Sequence, residues 1–376
     1  MPKDPRIEKA AEILVDYSTK IKKNDYVQII GDPEARDLIL EIYRLCIQRG
    51  AFPVLKIGLP GQSFVYYKNA SKEQLEHFPE LMMEEIKKTD AYIAIRSGSN
   101  TRELTNIDPK LISSRQKILR PIQNERLKKK WVLYDYPSSS LAQEADMSTE
   151  EFEDFVFSAT NIDWKSFSKR LDKIQKIMQS GDEVRITGEE TDIKFRTKGR
   201  KYIAGDGTHN MPDGEIFTAP IETSTEGHIK FTYPAIYGGR EVDGVYLEFK
   251  KGNIVNFSAK KNENILKTMI ETDAGSRRLG ELGIGLNPMI KKPIKNILFD
   301  EKLDSTIHLA IGSAYKECNG INESSVHWDM IKDLKNKSIK IWGPKTSRDK
   351  KVSFYLIDPE ENIIQILYSP KIIKWN

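Results

Sequence analysis

The alternation of short apolar runs with helical patterns in the first half of the chain constrains the fold more than any other feature. Residues 91–95 are almost wholly apolar, as expected for a strand covered on both faces. Similar strand candidates lie at residues 26–30, 52–57 and 131–134, and sequence with helical periodicity separates them. Strands that alternate with helices predict a parallel sheet. We therefore expect an N-terminal α/β domain with a mostly parallel sheet.

The pattern changes near residue 180. Residues 183–187 and 192–197 alternate with period two on either side of Gly188-Glu189-Glu190-Thr191, which predicts a β-hairpin. Short strand candidates and one helical pattern follow, which is typical of an α+β domain with antiparallel sheet. A chain of 376 residues also exceeds the size at which one core stays efficient. We predict an α/β scaffold domain at 1–180 and an α+β catalytic domain at 181–376.

Composition and charge argue against several functional classes. The chain has 59 basic and 55 acidic residues, a net charge of +4 that is spread along the sequence, so no nucleic-acid partner is indicated. Neither an apolar signal core at the N-terminus nor a run of roughly 18 apolar residues occurs, so no membrane association is expected. Cys46 and Cys318 are the only cysteines, too few for a disulfide framework. We expect a cytoplasmic protein.

Two other kinds of chemistry receive little support. The loop Gly31-Asp32-Pro33-Glu34 follows a strand candidate and opens a helix, but it lacks the glycine spacing of a dinucleotide site, and no P-loop motif occurs in the chain. A plain strand-to-helix turn explains it better. Cys318 is the one candidate for a cysteine nucleophile, since it lies between His308 and His327 in the sequence.

The stretch from His308 to Asp329 contains two of the five histidines, one near each end. The second belongs to His327-Trp328-Asp329. In an extended segment, residues two apart point to the same face, so this imidazole and carboxylate could bind one cation. Neutral imidazole and carboxylate oxygen are ordinary ligands for zinc, cobalt or manganese. The alternative is a hydrogen-bonded pair on the surface.

Three glutamates outside this stretch are candidates for the same chemistry. Glu215 lies in a loop that enters a short strand, and Glu301 lies just before His308. Glu281 lies among glycines and aliphatic residues, so we expect it to be at least partly buried. A buried carboxylate must be paired, protonated or bound to a cation. Arg278 could be a structural partner of Glu281, which would leave no metal site there.

Five segments occur in an order that resembles a known family: NMPDGEIFTAP, SRRLGELGIG, ILFDE, IHLAIGSAY and SSVHWD. Together they are similar to the signature set of the thermophilic-type metal-dependent leucyl aminopeptidases, which include aminopeptidase T and aminopeptidase S. The similarity is dense in the C-terminal half of the chain. It implies an N-terminal α/β domain, a C-terminal domain that binds two divalent metal ions, and a homodimer.

The resemblance also implies roles for individual residues. The first glutamate ligand of the family corresponds to Glu215, and the glutamate that bridges the metal ions corresponds to Glu281. The histidine and tyrosine of the third motif and the final His-x-Asp pair correspond to His308, Tyr315, His327 and Asp329. Glu301 matches the acid of the family's Asp-Glu stretch, as a ligand or as a group next to the ligands.

The implied activity is that of a dinuclear metallo-aminopeptidase, which hydrolyses N-terminal residues from peptides with a free N-terminus through a metal-activated hydroxide. Two zinc, cobalt or manganese ions held roughly 3.5–4 Å apart would generate that hydroxide. Tyr315 could donate a hydrogen bond to the developing oxyanion. Glu215 or Glu281 would carry the proton to the leaving amine. Another metal-dependent amide or ester hydrolase, and a non-catalytic metal-stabilised peptide-binding protein, are the alternatives.

Overall fold

A computed structural model describes residues 4–237 and 240–334 in full, and residues 339–342, 352–356, 364–368 and 371–373 as backbone strands. The chain forms two compact units. The first comprises Met1–Trp164 with Gly207–Pro212, and the second comprises Lys165–Asp206 with Asp213–Asn376. The division at residue 180 stays a prediction from the sequence pattern.

The helices are mostly in the first unit. In chain order they are α1 (Pro5–Glu12), α2 (Arg36–Gln48), α3 (Gln62–Asn69), α4 (Lys72–Glu76), α5 (Glu80–Lys88), α6 (Pro109–Arg126), α7 (Ser139–Glu144), α8 (Thr149–Thr160), α9 (Trp164–Gln179), α10 (Glu263–Ile270) and α11 (Ile297–Asp300). Among these described helices, none is long and apolar enough to cross a membrane.

Most of the strands lie in the second unit. In chain order they are β1 (Tyr26–Gly31), β2 (Phe52–Ile57), β3 (Ala91–Arg96), β4 (Lys130–Asp135), β5 (Glu183–Gly188), β6 (Thr191–Arg196), β7 (Ile203–Gly205), β8 (Asn210–Met211), β9 (Glu215–Thr218), β10 (Glu226–Lys230), β11 (Ala235–Tyr237), β12 (Arg240–Val242), β13 (Tyr246–Lys250), β14 (Asn253–Ser258), β15 (Leu279–Gly285), β16 (Thr306–Gly312), β17 (His327–Asp333), β18 (Ile339–Trp342), β19 (Val352–Leu356), β20 (Ile364–Tyr368) and β21 (Lys371–Ile373).

The first unit contains a five-stranded sheet in the order β2-β1-β3-β4-β8. Each neighbouring pair is parallel. Side chains that alternate along the central strands are buried, including Ile29, Ile93, Ile95, Val132 and Tyr134. Burying an aliphatic side chain of this size contributes roughly 1.5–3 kcal/mol. The apolar runs of the central strands therefore contribute to the core of a parallel α/β fold, and that prediction is confirmed, whereas the run of the edge strand β2 is largely exposed.

The second unit contains two larger antiparallel sheets. One has the order β14-β13-β10-β6-β5-β18, and β5 and β6 form the predicted hairpin. The other has the order β17-β16-β15-β9-β7. All seven residues of β15 and all seven of β16 are buried, so these two strands lie at the centre of the unit. The α+β class predicted for the second half is confirmed as well.

Candidate metal centre

The strand register of the second sheet brings separate sequence motifs to one face. Residues directly opposite each other in an antiparallel pair have side chains on the same face. Glu215 of β9 is opposite Gly285 of β15, and Gly283 of β15 is opposite His308 of β16.

The same register continues across the other half of the sheet. Glu281 of β15 is opposite Ala310 of β16, which in turn is opposite Asp329 of β17. His327 lies two residues before Asp329 and shares its face. The register therefore gathers Glu215, Glu281, His308, His327 and Asp329 on one face of the sheet.

Glu281 lies between the two histidines. Its Oε1 is 3.7 Å from His308 Nε2, and its Oε2 is 3.0 Å from His327 Nε2. On the outer sides, Glu215 Oε2 is 3.3 Å from His308 Nε2 and Asp329 Oδ1 is 3.6 Å from His327 Nε2. The two oxygens of one carboxylate thus face two separate sets of ligand atoms. Arg278 does not take the place of a cation here, because its Nε donates to Asn253 Oδ1 at 3.4 Å.

Glycine makes room for His308. A Cβ atom built on Gly283 would lie 1.9 Å from His308 Nε2 and 2.0 Å from its Cε1. Contacts shorter than 3.0 Å essentially never occur for a real Cβ atom. The glycine at the centre of Leu282-Gly283-Ile284 therefore allows the imidazole to lie flat across the neighbouring strand, with its ring inside the acidic cluster.

Ser313 sets the protonation of His327. The Nδ1 atom of His327 is 2.8 Å from the carbonyl oxygen of Ser313. Because a carbonyl oxygen only accepts hydrogen bonds, Nδ1 carries the proton and donates it. In the neutral imidazole, the lone pair of Nε2 would then be directed at Glu281 and Asp329, the arrangement in which a histidine binds a metal ion.

Several buried polar atoms of this cluster make no hydrogen bond in the described structure: Glu215 Oε2, both ring nitrogens of His308, His327 Nε2 and Asp329 Oδ1. Leaving a buried polar atom without a partner costs about 1–3 kcal/mol, and more when it is charged. His308 Nε2 and the atoms of the other three side chains face the same cluster, so they call for shared partners. Nitrogen and carboxylate oxygen donors suit zinc, cobalt or manganese, so the residues fit a metal centre.

Three groups of candidate ligand atoms lie within 4.8 Å of one another. They are Glu215 with Glu281 and His308, Glu281 with His327 and Asp329, and Glu301 with His308 and Asp329. Glu281, His308 and Asp329 each belong to two of these groups, but only Glu281 among them faces two different histidines with its two oxygens, which is the geometry of a bridging carboxylate. Glu301 also lies beside the cluster, so each acid and histidine singled out in the sequence reaches this place.

The electrostatics of the cluster favour bound positive charge. Burial raises the pKa of Glu215 and of Asp329. Burial also raises the pKa of Glu281, but contacts with His308 and His327 outweigh it and lower the pKa to about 2. Conversely, burial lowers the pKa of His327, while Asp329 and Glu281 raise it to about 10 overall. Without another cation, the histidines would hold protons to balance the carboxylates.

Tyr315 lies at the edge of the cluster. Its ring centroid is 5.0 Å from that of His327 and 5.5 Å from that of Phe217. Tyr315 is 42% exposed, and loss of solvent around part of the side chain, together with the nearby carboxylates of Glu281 and Asp329, raises its pKa. The phenol therefore stays protonated at neutral pH and can act as a hydrogen-bond donor.

Cys318 is poorly suited to nucleophilic chemistry. Its side chain is buried, packed with Ala219 and Ala314. Burial raises the pKa of the Cys318 thiol to about 12, so the thiolate is scarce at neutral pH. The candidate nucleophile considered from the sequence is therefore not supported, and the chemistry of this centre has to come from its acids and histidines.

A cavity of about 170 Å³ opens beside His327 and Asp329. Most of its wall is apolar and comes from β11, α11 and β17: Pro234, Ala235, Ile236, Tyr237, Ile297, Trp328 and Ile331. Asp300 also lines it, but its Oδ1 accepts a hydrogen bond from Ile294 N at 2.7 Å, and burial raises its pKa to about 7. The wall of the cavity also contains the polar side chains of His327 and Asp329, and its volume is similar to that of a cavity that holds one benzene ring, roughly 150 Å³.

Sequence reasoning did not find three residues that shape this centre. Lys302 is fully buried against Glu215 and Glu301, Gly283 leaves the space for His308, and Ser313 orients His327 through its main-chain carbonyl. In the sequence, the glycine-rich segment around Glu281 indicated that a glycine such as Gly283 could have a structural role there. Neither a buried lysine nor a carbonyl contact has a sequence signature.

Comparison with known proteins agrees with this geometry. The family model described as thermophilic metalloprotease (M29) matches residues 3–355. Aminopeptidase AmpS of Bacillus subtilis (strain 168) is 27% identical, over 88% of this chain and 92% of its own. In fold, the chain is similar to wild-type AmpT from Thermus thermophilus, with a TM-score of 0.79 and 24% identity over 90% of this chain and 95% of that chain.

The fold by itself does not specify one reaction. The structure of 2,5-dihydroxypyridine dioxygenase from Pseudomonas putida KT2440 is also similar, with a TM-score of 0.57 and 12% identity over 89% of this chain and 92% of that chain. The family match covers most of the sequence, including every motif of the metal centre. The chain belongs to the thermophilic metalloprotease (M29) family.

Proposed function

We propose that this protein is a dinuclear metallo-aminopeptidase that removes N-terminal residues from peptides. The position of Glu281 carries the proposal, since its two oxygens face His308 on one side and His327 on the other. Glu215 and His308 with one oxygen of Glu281 would hold one ion, and His327 and Asp329 with the other oxygen would hold the second. Family membership and the aminopeptidase name of the AmpS relative support the same activity.

Zinc, cobalt and manganese all suit this donor set. Divalent ions bound there would supply Lewis acidity and a water acidic enough to attack a carbonyl carbon near neutral pH. Glu301 would be a further ligand, or would hydrogen-bond to one, because it lies within reach of His308 and Asp329.

The remaining chemistry falls to side chains of the chain itself. A carboxylate oxygen of Glu215 or Glu281 that is not bound to metal would accept the proton of the attacking water and deliver it to the nitrogen of the leaving amine. Tyr315, which stays protonated, would donate a hydrogen bond to the oxyanion of the tetrahedral adduct, a contribution of about 2.7–4 kcal/mol for a well-placed donor. Asp329 would help to keep His327 in position, because both side chains would bind the same ion.

The apolar cavity beside His327 supports a place for the N-terminal side chain of the substrate. A peptide with its scissile carbonyl at the centre would direct that side chain away from the rest of the peptide. The cavity formed by Ala235, Ile236, Ile297 and Ile331 accepts one apolar group. Peptides that begin with leucine or a residue of similar size would therefore be good substrates.

The test is hydrolysis of leucine p-nitroanilide by purified protein that has been stripped with a chelator and reloaded with zinc, cobalt or manganese. We expect turnover of the free-amine substrate and none of its N-acetyl derivative. Glu281→Ala should abolish activity, whereas Glu150→Ala, which changes an exposed glutamate of α8, should not. Equal hydrolysis of the blocked substrate would favour a general amidase. Metal binding without turnover of any amide or ester would favour a metal-stabilised binding protein.

The family resemblance also supports a homodimer, the small number of cysteines supports a cytoplasmic location, and we include both in the proposal. Sedimentation equilibrium of the purified protein tests the first. A concentration-independent mass near 43.1 kDa, the mass of one chain, would contradict a dimer.

A further inference from the structure

Lys302 is a fully buried lysine inside the acidic cluster. Its side chain has 0% exposure. It lies two residues after the end of α11, and its carbonyl oxygen accepts a hydrogen bond from Asn287 N at 3.1 Å, which fixes the backbone. Charged lysine side chains are almost never fully buried unless they are paired. The position of this ammonium therefore requires an explanation.

The ammonium contacts two of the proposed ligands. Its Nζ lies 3.2 Å from Glu215 Oε1 and donates a hydrogen bond to Glu301 Oε1. The other oxygen of Glu215, Oε2, is the atom that faces His308 and makes no hydrogen bond. One oxygen of Glu215 is thus held by Lys302 and the other is presented to the centre.

The contact of Lys302 with Glu215 and Glu301 balances negative charge in the cluster. Glu215, Glu281, Glu301 and Asp329 bring four carboxylates together in a buried space. Like charges in low dielectric repel each other strongly, and each buried carboxylate requires a partner. The ammonium of Lys302 offsets one of the four charges, and it is part of the chain rather than a bound ion.

A second buried lysine offers a comparison. Lys332 of β17 is 2% exposed and lies in the same unit. Its Nζ donates to the carbonyl oxygens of Lys230 at 2.7 Å and Glu189 at 3.3 Å, contacts that tie main-chain segments together. The Nζ of Lys302 instead contacts carboxylates of the candidate ligands Glu215 and Glu301.

We propose that Lys302 is a positioning residue, a built-in counter-ion that lets the acidic cluster fold before metal binds and holds Glu215 and Glu301 with one oxygen each free for the metal. This rests on the proposed function only in requiring that the centre binds a cation. Loss of the ammonium would leave the carboxylates unbalanced in the metal-free protein, and a divalent ion would replace the missing charge.

The experiment compares melting temperatures of Lys302→Met with and without metal. Methionine has nearly the same length and no charge. In the chelated protein, we expect Tm to fall by on the order of 10 °C, because one partner of a buried ion pair is removed. Saturating zinc or manganese should restore at least half of that loss. Lys332→Met is the matched control, and its loss of Tm should be the same with and without metal.

A double variant covers the case in which Lys302→Met does not fold. Adding Glu301→Gln removes one carboxylate together with the ammonium and returns the cluster to its original net charge. We expect the double variant to fold and to recover most of the Tm lost in the chelated form. A loss in Lys302→Met that metal does not change, no loss at all, or no recovery in the double variant would each overturn the proposal. The comparison of chelated proteins needs no turnover, so it remains decisive even if no aminopeptidase activity is found.

Discussion

Replacement of Gly283 by alanine tests whether the space beside His308 builds the metal centre. The new Cβ would lie 1.9 Å from His308 Nε2, whereas ordinary contacts begin at 3.4 Å, so the imidazole or the strand would have to move by about 1.5 Å. His308 is completely buried, with Glu215 and Glu281 within 3.7 Å of its Nε2. A rigid ring in such surroundings has no free direction in which to turn.

Two consequences can be given magnitudes. Overpacking of this kind costs about 1–3 kcal/mol, which lowers the Tm of a domain of this size by roughly 2–12 °C. Changes to groups that only orient metal ligands already cost about 10–100-fold in metal affinity, so displacement of a ligand itself should reach at least roughly 100-fold. The turnover number should fall with the occupancy of the centre and should not recover at high substrate concentration.

Isothermal titration of the chelated protein with zinc or manganese measures the affinity, and differential scanning calorimetry measures Tm. Gly31→Ala is the control, because its Cβ would lie 2.5 Å from Ile39 Cδ1 in the first unit, far along the chain from any ligand. It should lower Tm and leave metal affinity unchanged. Wild-type metal affinity in Gly283→Ala would refute the idea that this glycine is required for the position of His308.

Three further results are expected. Ala235→Leu should fill the apolar cavity and lower kcat/KM for leucine p-nitroanilide relative to alanine p-nitroanilide by roughly 10–100-fold, whereas Val255→Leu on exposed β14 should leave the ratio unchanged. Prolonged dialysis against a chelator should remove activity and lower Tm, and zinc, cobalt or manganese should restore both; full activity in verified metal-free protein would exclude the metal mechanism. Hydrogen bonds, the largest from Ser325 N, lower the pKa of Asp273 to about 2. Because this value lies below that of the unfolded chain, the carboxylate stabilises the fold above about pH 4 and the effect disappears as the pH falls toward 2. The Tm of the wild type should therefore exceed that of Asp273→Asn at pH 6, and an equal gap at pH 2 would contradict this assignment.

The local pattern of apolar and polar residues was sufficient to predict much of the fold. An apolar run such as residues 91–95 favours a strand in a covered parallel sheet, and the period-two alternation on either side of residues 188–191 favours a hairpin. These are properties of neighbouring residues, so they can be read without knowledge of distant contacts. Pairing between distant segments is different: β8 adds to the parallel sheet beside β4, although about 75 residues separate them in the chain.

The metal centre also has features that the sequence predicts and features that depend on contacts between distant segments. The sequence by itself determined which acids and histidines could act as ligands, because imidazole and carboxylate chemistry and the ordered motifs are local, and it predicted that His327 and Asp329 share a face. Only the tertiary structure decided that Glu281 lies between the two histidines, that Gly283 leaves room for one of them, and that Lys302 is buried among the acids. Those facts depend on the register of four strands, and register is set by packing across the whole sheet, which no single segment encodes.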